Sequence, residues 1–348
     1  MQISHDFRRF SIVRLNAELF PISPLEAKLW REHGLQPLAV EANTPAAILE
    51  HAAECDALCV VSAALPREVI DGLSRCRVIS RLGTGTDKVD VAAATERGIL
   101  VTNVPYFCIE EQADHTMALL LALARKLPQM GKALAAGAYR EARESARTNQ
   151  RLEGRTLGLV GFGNSAKAVA TRAAGFGMRV IATRRHPERS QDHLTRLGVT
   201  LVDFDTVLAE SDYVSLHLPL NDETHHLLDA TTLRRMKPGA CLINTARGAI
   251  VDELALVELL REGRIAGAGL DTFEHIDPFV EEETPPDHPL LSLDNVVLTP
   301  HVAAFSVQAM EDNRRGSAEN ALAVLRGRWP DRENLVNPSV IPKFALVD

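Results

Sequence analysis

The segment "LGLVGFGNSAKAVATRAAGFGMRVIATRR" sets Gly161-Phe162-Gly163 between an apolar strand and a helix rich in small residues. The first glycine permits a tight strand-to-helix turn, and the second lets backbone N–H groups approach a pyrophosphate at the positive end of the helix. Asn164 and Ser165 open that helix, and Ala166 takes the third fingerprint position, where a small side chain allows close helix–strand packing. A Gly-rich turn alone can serve geometry; strand, turn, helix and second strand in this order point to a dinucleotide. The second strand ends in Thr183-Arg184-Arg185, with Arg184 standing 23 residues after Gly161. A carboxylate there would accept hydrogen bonds from the adenosine ribose and repel a 2′-phosphate, whereas guanidinium groups reverse both preferences. The arginines therefore predict NADP(H) as the preferred cofactor, with NAD(H) as the second choice, over a reading as solvated surface charge.

These residues need a scaffold, and the pattern of apolar runs supplies one. From "FSIVRLNA" to "CRVISRLG", short β-branched or apolar stretches alternate with helical patterns, the rhythm of a parallel α/β sheet. A second series runs from "RTLGLVGFG" through "RVIATRR", "YVSLHLP", "ACLINTAR" and "IAGAGLDTF" to "NVVLTPH" and predicts the larger sheet. Between them, "IEEQADHTMALLLALARKLPQMGKALAAG" reads as one long amphipathic connector helix, followed by a polar surface excursion, "REARESARTNQ". The segment "SVQAMEDNRRGSAENALAVLRGRW" reads as a helix that packs back on the first domain.

A chain of 348 residues with 46% hydrophobic and 24% charged residues suits two globular domains. A net charge of −8 offers no basic field for nucleic acid or an anionic membrane, so neither is an expected partner. Five scattered cysteines without a C-x-x-C pair indicate neither a disulfide framework nor a zinc site and suit a reducing cytoplasm. The N-terminus lacks the apolar core of a signal peptide, and the longest apolar run, "MALLLALA" at 117–124, is too short to span a bilayer. A cytoplasmic protein is expected.

The motifs "RLGTGTDKVD", "ERGILVTNVP", "ADHTMALLLALAR", "MKPGACLINTARG" and "LTPH", in this order around the fingerprint, resemble the D-isomer-specific 2-hydroxyacid dehydrogenase family. The family includes phosphoglycerate dehydrogenases and glyoxylate or hydroxypyruvate reductases. The resemblance covers nearly the whole chain and implies an α/β fold of two doubly wound parallel-sheet domains. A Rossmann NAD(P)-binding domain (113–305) would be inserted in a smaller flavodoxin-like substrate-binding domain (1–112 and 306–348). It also implies that Arg247 binds and polarises the substrate and that His301 transfers the proton. The chemistry needs such groups, because hydride delivery to a 2-oxo carbon builds negative charge that a cation stabilises and an acid quenches.

The family's third catalytic member, a carboxylate paired with the histidine, falls in D-x-x-x-x-E-P, but here Ile276 occupies the glutamate position. Glu274, favoured for its longer reach, and Asp277, which precedes Pro278, are the two candidates, while Glu281, Glu282 and Glu283 read as a solvated acidic loop. Gly83, Thr84 and Gly85 resemble the family's substrate loop, whose N–H groups form an anion-binding concavity. Further cofactor contacts implied by the family fall on His217, Leu218, Pro219, Thr224, Thr245, Ala246, Ala303 and, at the nicotinamide amide, Asp271. Within the family, "VPYFCIEEQADHTMALLLAL" and "TPHVAAFS" are most similar to the branch of the C-terminal-binding corepressors. That branch makes Arg81 a second carboxylate anchor and carries a tryptophan where Ala304 stands. The expected function is NADPH-dependent reduction of a small 2-oxo acid, glyoxylate or hydroxypyruvate first, by a homodimer. The alternatives are NAD-dependent oxidation of phosphoglycerate, disfavoured by the arginines and by the lack of a following regulatory domain, and a non-enzymatic cofactor sensor.

Overall fold

The computed structural model describes residues 10–18, 20–186, 196–279 and 286–347; the expected acidic loop at Glu281, Glu282 and Glu283 lies outside them. The chain divides into two compact units, Met1–Cys108 with Phe305–Asp348, and Ile109–Ala304.

The first unit holds five parallel strands, β1 (Ile12–Leu15), β2 (Leu38–Val40), β3 (Ala57–Val60), β4 (Val78–Arg81) and β5 (Leu100–Thr102), in the order β2-β1-β3-β4-β5. That is the flavodoxin-like doubly wound order. Alternation along each strand feeds two cores: Val13, Leu15, Leu58 and Val60 face one layer, and Ile12, Ala57 and Cys59 the other. The helix Val307–Leu325 closes the second layer with Ala318, Ala321, Leu322 and Leu325.

The second unit holds seven parallel strands: β6 (Thr156–Val160), β7 (Arg179–Thr183), β8 (Thr200–Leu201), β9 (Tyr213–Leu216), β10 (Cys241–Asn244), β11 (Gly267–Leu270) and β12 (Val296–Leu298). Their order, β12-β11-β10-β9-β6-β7-β8, is the Rossmann order extended by one strand, with the topological switch point between β6 and β9. Leu157, Leu159, Val180 and Ile243 pack on one face, and Ile181, Val214, Leu242 and Ala268 on the other.

The expected connector helix is two helices, and both belong to the second unit. Ile109–Arg125 ends at Lys126, whose φ of 53° is left-handed, and a second helix, Leu127–Ala135, restarts with Pro128 in its first turn. Proline lacks the N–H that a continuing helix needs but is tolerated in a first turn. The expected surface excursion contains a further short helix, Tyr139–Ala146. Helix Ile109–Arg125 lies on β11 because that strand carries glycines on the facing side: a Cβ at Gly269 would crowd Leu119, and one at Gly267 would crowd Leu123. Among the described residues, no helix is long and apolar enough to cross a membrane.

Candidate active site

The carboxyl ends of β6, β7 and β9 carry the fingerprint. Gly161 leaves β6 at a φ of 93°, and a Cβ there would overlap the carbonyl of His217 at the end of β9. Its glycine is therefore required by the protein's own turn. Gly163 differs. It is the N-cap of helix Asn164–Gly175 at a φ of −86°, no side chain caps the helix, and a Cβ would project into open space. Among the described residues nothing crowds this position, and the open space would let a ligand back against the first-turn N–H groups. Ala166 is fully buried in the helix–sheet contact.

At the end of β7, the Thr183 carbonyl accepts the Gly161 N–H (3.0 Å), so the two strand ends meet. Arg184 and Arg185 follow directly, and Arg185 Nη2 donates to Glu223 Oε1 at 2.8 Å in an exposed ion pair. His217 lies 3.2 Å from Ser165 Oγ and 2.9 Å from Ser215 Oγ through its two ring nitrogens. Burial pushes its imidazole down to about 4, so it is neutral at pH 7. Leu218 and Pro219 continue into a turn in which Thr224 Oγ1 donates to the Pro219 carbonyl (2.7 Å) and accepts the Asn221 N–H (2.9 Å). Thr224 thus already serves the turn.

Arg247, Glu274 and His301 follow β10, β11 and β12, three neighbouring strands. After β10, Asn244 ties the bend by accepting the Ala246 N–H (3.0 Å) and donating to the Arg247 carbonyl (2.8 Å). Thr245 is gripped from helix Ile109–Arg125: Gln112 Nε2 donates to its carbonyl (2.8 Å), and Thr116 Oγ1 lies 3.0 Å from its Oγ1. Arg247 Nη1 donates to the Ala246 carbonyl (2.7 Å). Gly248 is demanded by the Phe273–Glu274 backbone, which a Cβ would overlap. The chain after β11 is thereby laid against the Arg247 bend.

His301 sits in the left-handed region at a φ of 55°, its N–H donating to the Asp271 carbonyl (2.8 Å). The Asp271 side chain is fully buried and organises the loop. Its Oδ1 accepts Thr299 Oγ1 (2.6 Å) and the Val302 N–H (2.9 Å), and its Oδ2 accepts the Ala303 N–H (2.9 Å). His115 Nε2 adds a contact of 2.8 Å to Thr299 Oγ1. The resemblance implied Asp271 for a nicotinamide amide; with both oxygens engaged inside the protein, it first of all anchors the His301 loop.

Of the two candidate carboxylates, Glu274 sits with histidines other than His301: its Oε2 is 2.7 Å from His226 Nε2, and its Oε1 is 3.5 Å from His225 Nε2. Asp277 Oδ1 accepts the Phe279 N–H (3.0 Å), and the Phe279 ring stands 4.9 Å from the His301 ring. The remaining candidates lie in the first unit, at the last residue of β4 and just after it. There Gly83 is required by its φ of 140°, and the Arg81 guanidinium occupies the space that a Cβ would take. The Gly83 N–H donates to the Arg81 carbonyl (3.1 Å). Asn103 Nδ2 pins the turn through the Thr84 carbonyl (2.7 Å).

Residues 117–303 match the family model of the D-isomer specific 2-hydroxyacid dehydrogenase NAD binding domain. A glyoxylate reductase of Korarchaeum cryptofilum is 42% identical over 84% of this chain and 86% of its own length. The chain belongs to this family. Among solved structures, an acyclic imino acid reductase in complex with NADPH and D-Arg is 29% identical and covers 94% of this chain and all of its own, with a TM-score of 0.82. The D-lactate dehydrogenase of Aquifex aeolicus, complexed with NAD and lactic acid, is 26% identical over 94% of this chain and 99% of its own, with a TM-score of 0.80.

A 2-hydroxyacid dehydrogenase of this family takes a nicotinamide cofactor, and the residues present fit one. The open cradle at Gly163, the uncapped helix and the neutral His217 beside Ser165 would hold its pyrophosphate side, and the β7 end its adenosine ribose. The bend at Thr245 and Ala246 and the loop at Ala303 stand at the other end of the same crest. Gln112, His115, Thr116 and Thr299, which no sequence motif singles out, steady that second end. Their one visible signal is spacing: positions 112, 115 and 116 share a helix face.

Proposed function

We propose that this chain reduces a small 2-oxo acid of the glyoxylate or hydroxypyruvate type to its D-2-hydroxy acid, with NADPH preferred over NADH. The observation that carries this reading is the placement of a cation, Arg247, and a proton carrier, His301, after β10 and β12, with the buried Asp271 between them at the exit of β11. Ligands of open α/β sheets bind at this edge. The relatives' names point the same way.

Reduced nicotinamide supplies the hydride when bound. Arg247 holds the substrate carboxylate and polarises its carbonyl, stabilising the charge that develops on oxygen. His301 donates the proton that quenches this charge. Asp277 is the better candidate to orient His301, because its carboxylate accepts the N–H of Phe279, whose ring stands beside the imidazole, while Glu274 is taken up by His226. Asp271 positions the His301 loop. In the first unit, which we assign to substrate binding, Arg81 and the amides of Thr84 and Gly85 are the candidate carboxylate anchors. Arg184 and Arg185 favour the 2′-phosphate, which would replace Glu223 as the partner of Arg185. A homodimer in the cytoplasm completes the reading.

The test is turnover of NADPH and NADH against a panel of 2-oxo acids, with pH–rate profiles of Asp277→Asn and Glu274→Gln. Loss of the limb belonging to His301 in the first variant alone supports Asp277. An unchanged profile in the first and a changed one in the second returns the role to Glu274.

A further inference from the structure

We propose that His225, His226 and Glu274 form a binding site for one divalent transition-metal ion of the zinc class, stapling the turn at 221–226 to the exit of β11. One imidazole nitrogen from each histidine and one carboxylate oxygen of Glu274 all lie within 4.8 Å of one another. His226 Nε2 is 2.7 Å from Glu274 Oε2, and His225 Nε2 is 3.5 Å from Glu274 Oε1. Donors held 2.0–2.1 Å from a tetrahedral zinc ion stand roughly 3.3 Å apart, so small side-chain adjustments bring all three into coordination.

Three features make this a built arrangement. The two imidazoles are stacked, with ring centroids 4.2 Å apart and planes 27° from parallel, which directs both Nε2 atoms at the same carboxylate. Stacking on consecutive residues requires an unusual backbone, and His226 supplies it with a left-handed φ of 48°, fixed by its N–H donating to the Ala249 carbonyl (2.8 Å). Glu274 is held in turn by its own N–H donating to Glu253 Oε1 (2.8 Å), and Glu253 Oε2 lies 3.3 Å from His288 Nε2. These contacts fix the main chain from which the Glu274 carboxylate projects.

The donor set selects the ion. Two imidazoles and one carboxylate suit zinc, nickel or copper, while calcium and magnesium demand oxygen ligands. The His225 side chain is 53% exposed against 18% for Glu274, so one side of the cluster opens to water, which would complete four-coordination. His275, whose Nε2 lies 3.7 Å from Glu274 Oε2, does not converge with the other two imidazoles. It is the internal control.

The proposal is independent of the reduction reaction, and its readout is binding. The EDTA-stripped full chain is titrated with zinc chloride by calorimetry and with cobalt(II) by visible absorbance. One tight equivalent per chain is expected, with cobalt bands of a tetrahedral or five-coordinate ion. His225→Ala and the isosteric Glu274→Gln, both checked for native circular dichroism, should each weaken binding at least tenfold, and His275→Ala less than twofold. The chain has twelve histidines. Zinc uptake without a single tight equivalent, or uptake unchanged in His225→Ala and Glu274→Gln, overturns the assignment.

Discussion

Replacing Asp271 by alanine should separate an anchoring residue from a bystander. The side chain is fully buried and accepts three hydrogen bonds, from Thr299 Oγ1, Val302 N and Ala303 N, at 2.6–2.9 Å. Truncation strands those donors, and each buried donor left without an acceptor costs about 1–3 kcal/mol. Water entering the cavity recovers part of this, so the expected loss is roughly 3–6 kcal/mol, or on the order of 10 °C in Tm for a unit of this size. The same bonds hold the loop in which His301 keeps a φ of 55°. A left-handed backbone at a non-glycine residue costs on the order of 1–3 kcal/mol and persists only where its surroundings impose it. Relaxation of the loop should therefore lower kcat by roughly 100-fold, the cost of a misplacement near 1 Å. Asp271→Asn keeps one acceptor but sets an NH2 group against a backbone donor, and should fall between wild type and Asp271→Ala. Thermal unfolding by circular dichroism and initial-rate kinetics on the same preparations make the comparison. A loss below about 1 kcal/mol with unimpaired turnover in Asp271→Ala would mean that this side chain does not hold the His301 loop.

The two fingerprint glycines should part company. Gly161→Ala is expected to destabilise the chain severely, because its φ is 93° and its Cβ would overlap the His217 carbonyl. Gly163→Ala should cost no more than about 1 kcal/mol, as for a weakened N-cap, yet reduce cofactor affinity at least tenfold by calorimetry, about 1.4 kcal/mol. Equal cofactor affinity in Gly163→Ala would remove the pyrophosphate cradle from the account. Arg185→Ala should lower the NADPH-to-NADH preference at least tenfold. Glu223→Gln should raise it by releasing Arg185 from its 2.8 Å partner; kcat/KM for both cofactors decides, and an unchanged ratio in both variants counts against phosphate recognition.

What was legible in the sequence is what short stretches of chain determine. The strand–turn–helix of the fingerprint, the arginines at the end of β7 and the two parallel sheets all follow from local pattern and glycine placement. The network around His301 was not legible. His115 and Thr299 meet across 184 positions of sequence, and no local pattern announces such a pairing. The carboxylate question turned on the same limit: Glu274 looked suitable by reach, but the left-handed turn at His226 brings a different imidazole to it. The break at Lys126 was visible as Pro128 yet hidden inside an apolar run that reads as continuous helix.

In the proposed reaction His301 delivers a proton to the carbonyl oxygen of the 2-oxo acid as hydride reaches its carbon. The most direct measurement is NADPH consumption with glyoxylate and hydroxypyruvate by the wild-type chain and by His301→Ala, with cofactor binding followed in parallel. Turnover is expected in the wild type, with a loss of roughly 10²–10⁴-fold in kcat for the variant and cofactor affinity unchanged. A folded, cofactor-binding wild type that reduces no 2-oxo acid, or a His301→Ala variant with full kcat, would contradict this proposal.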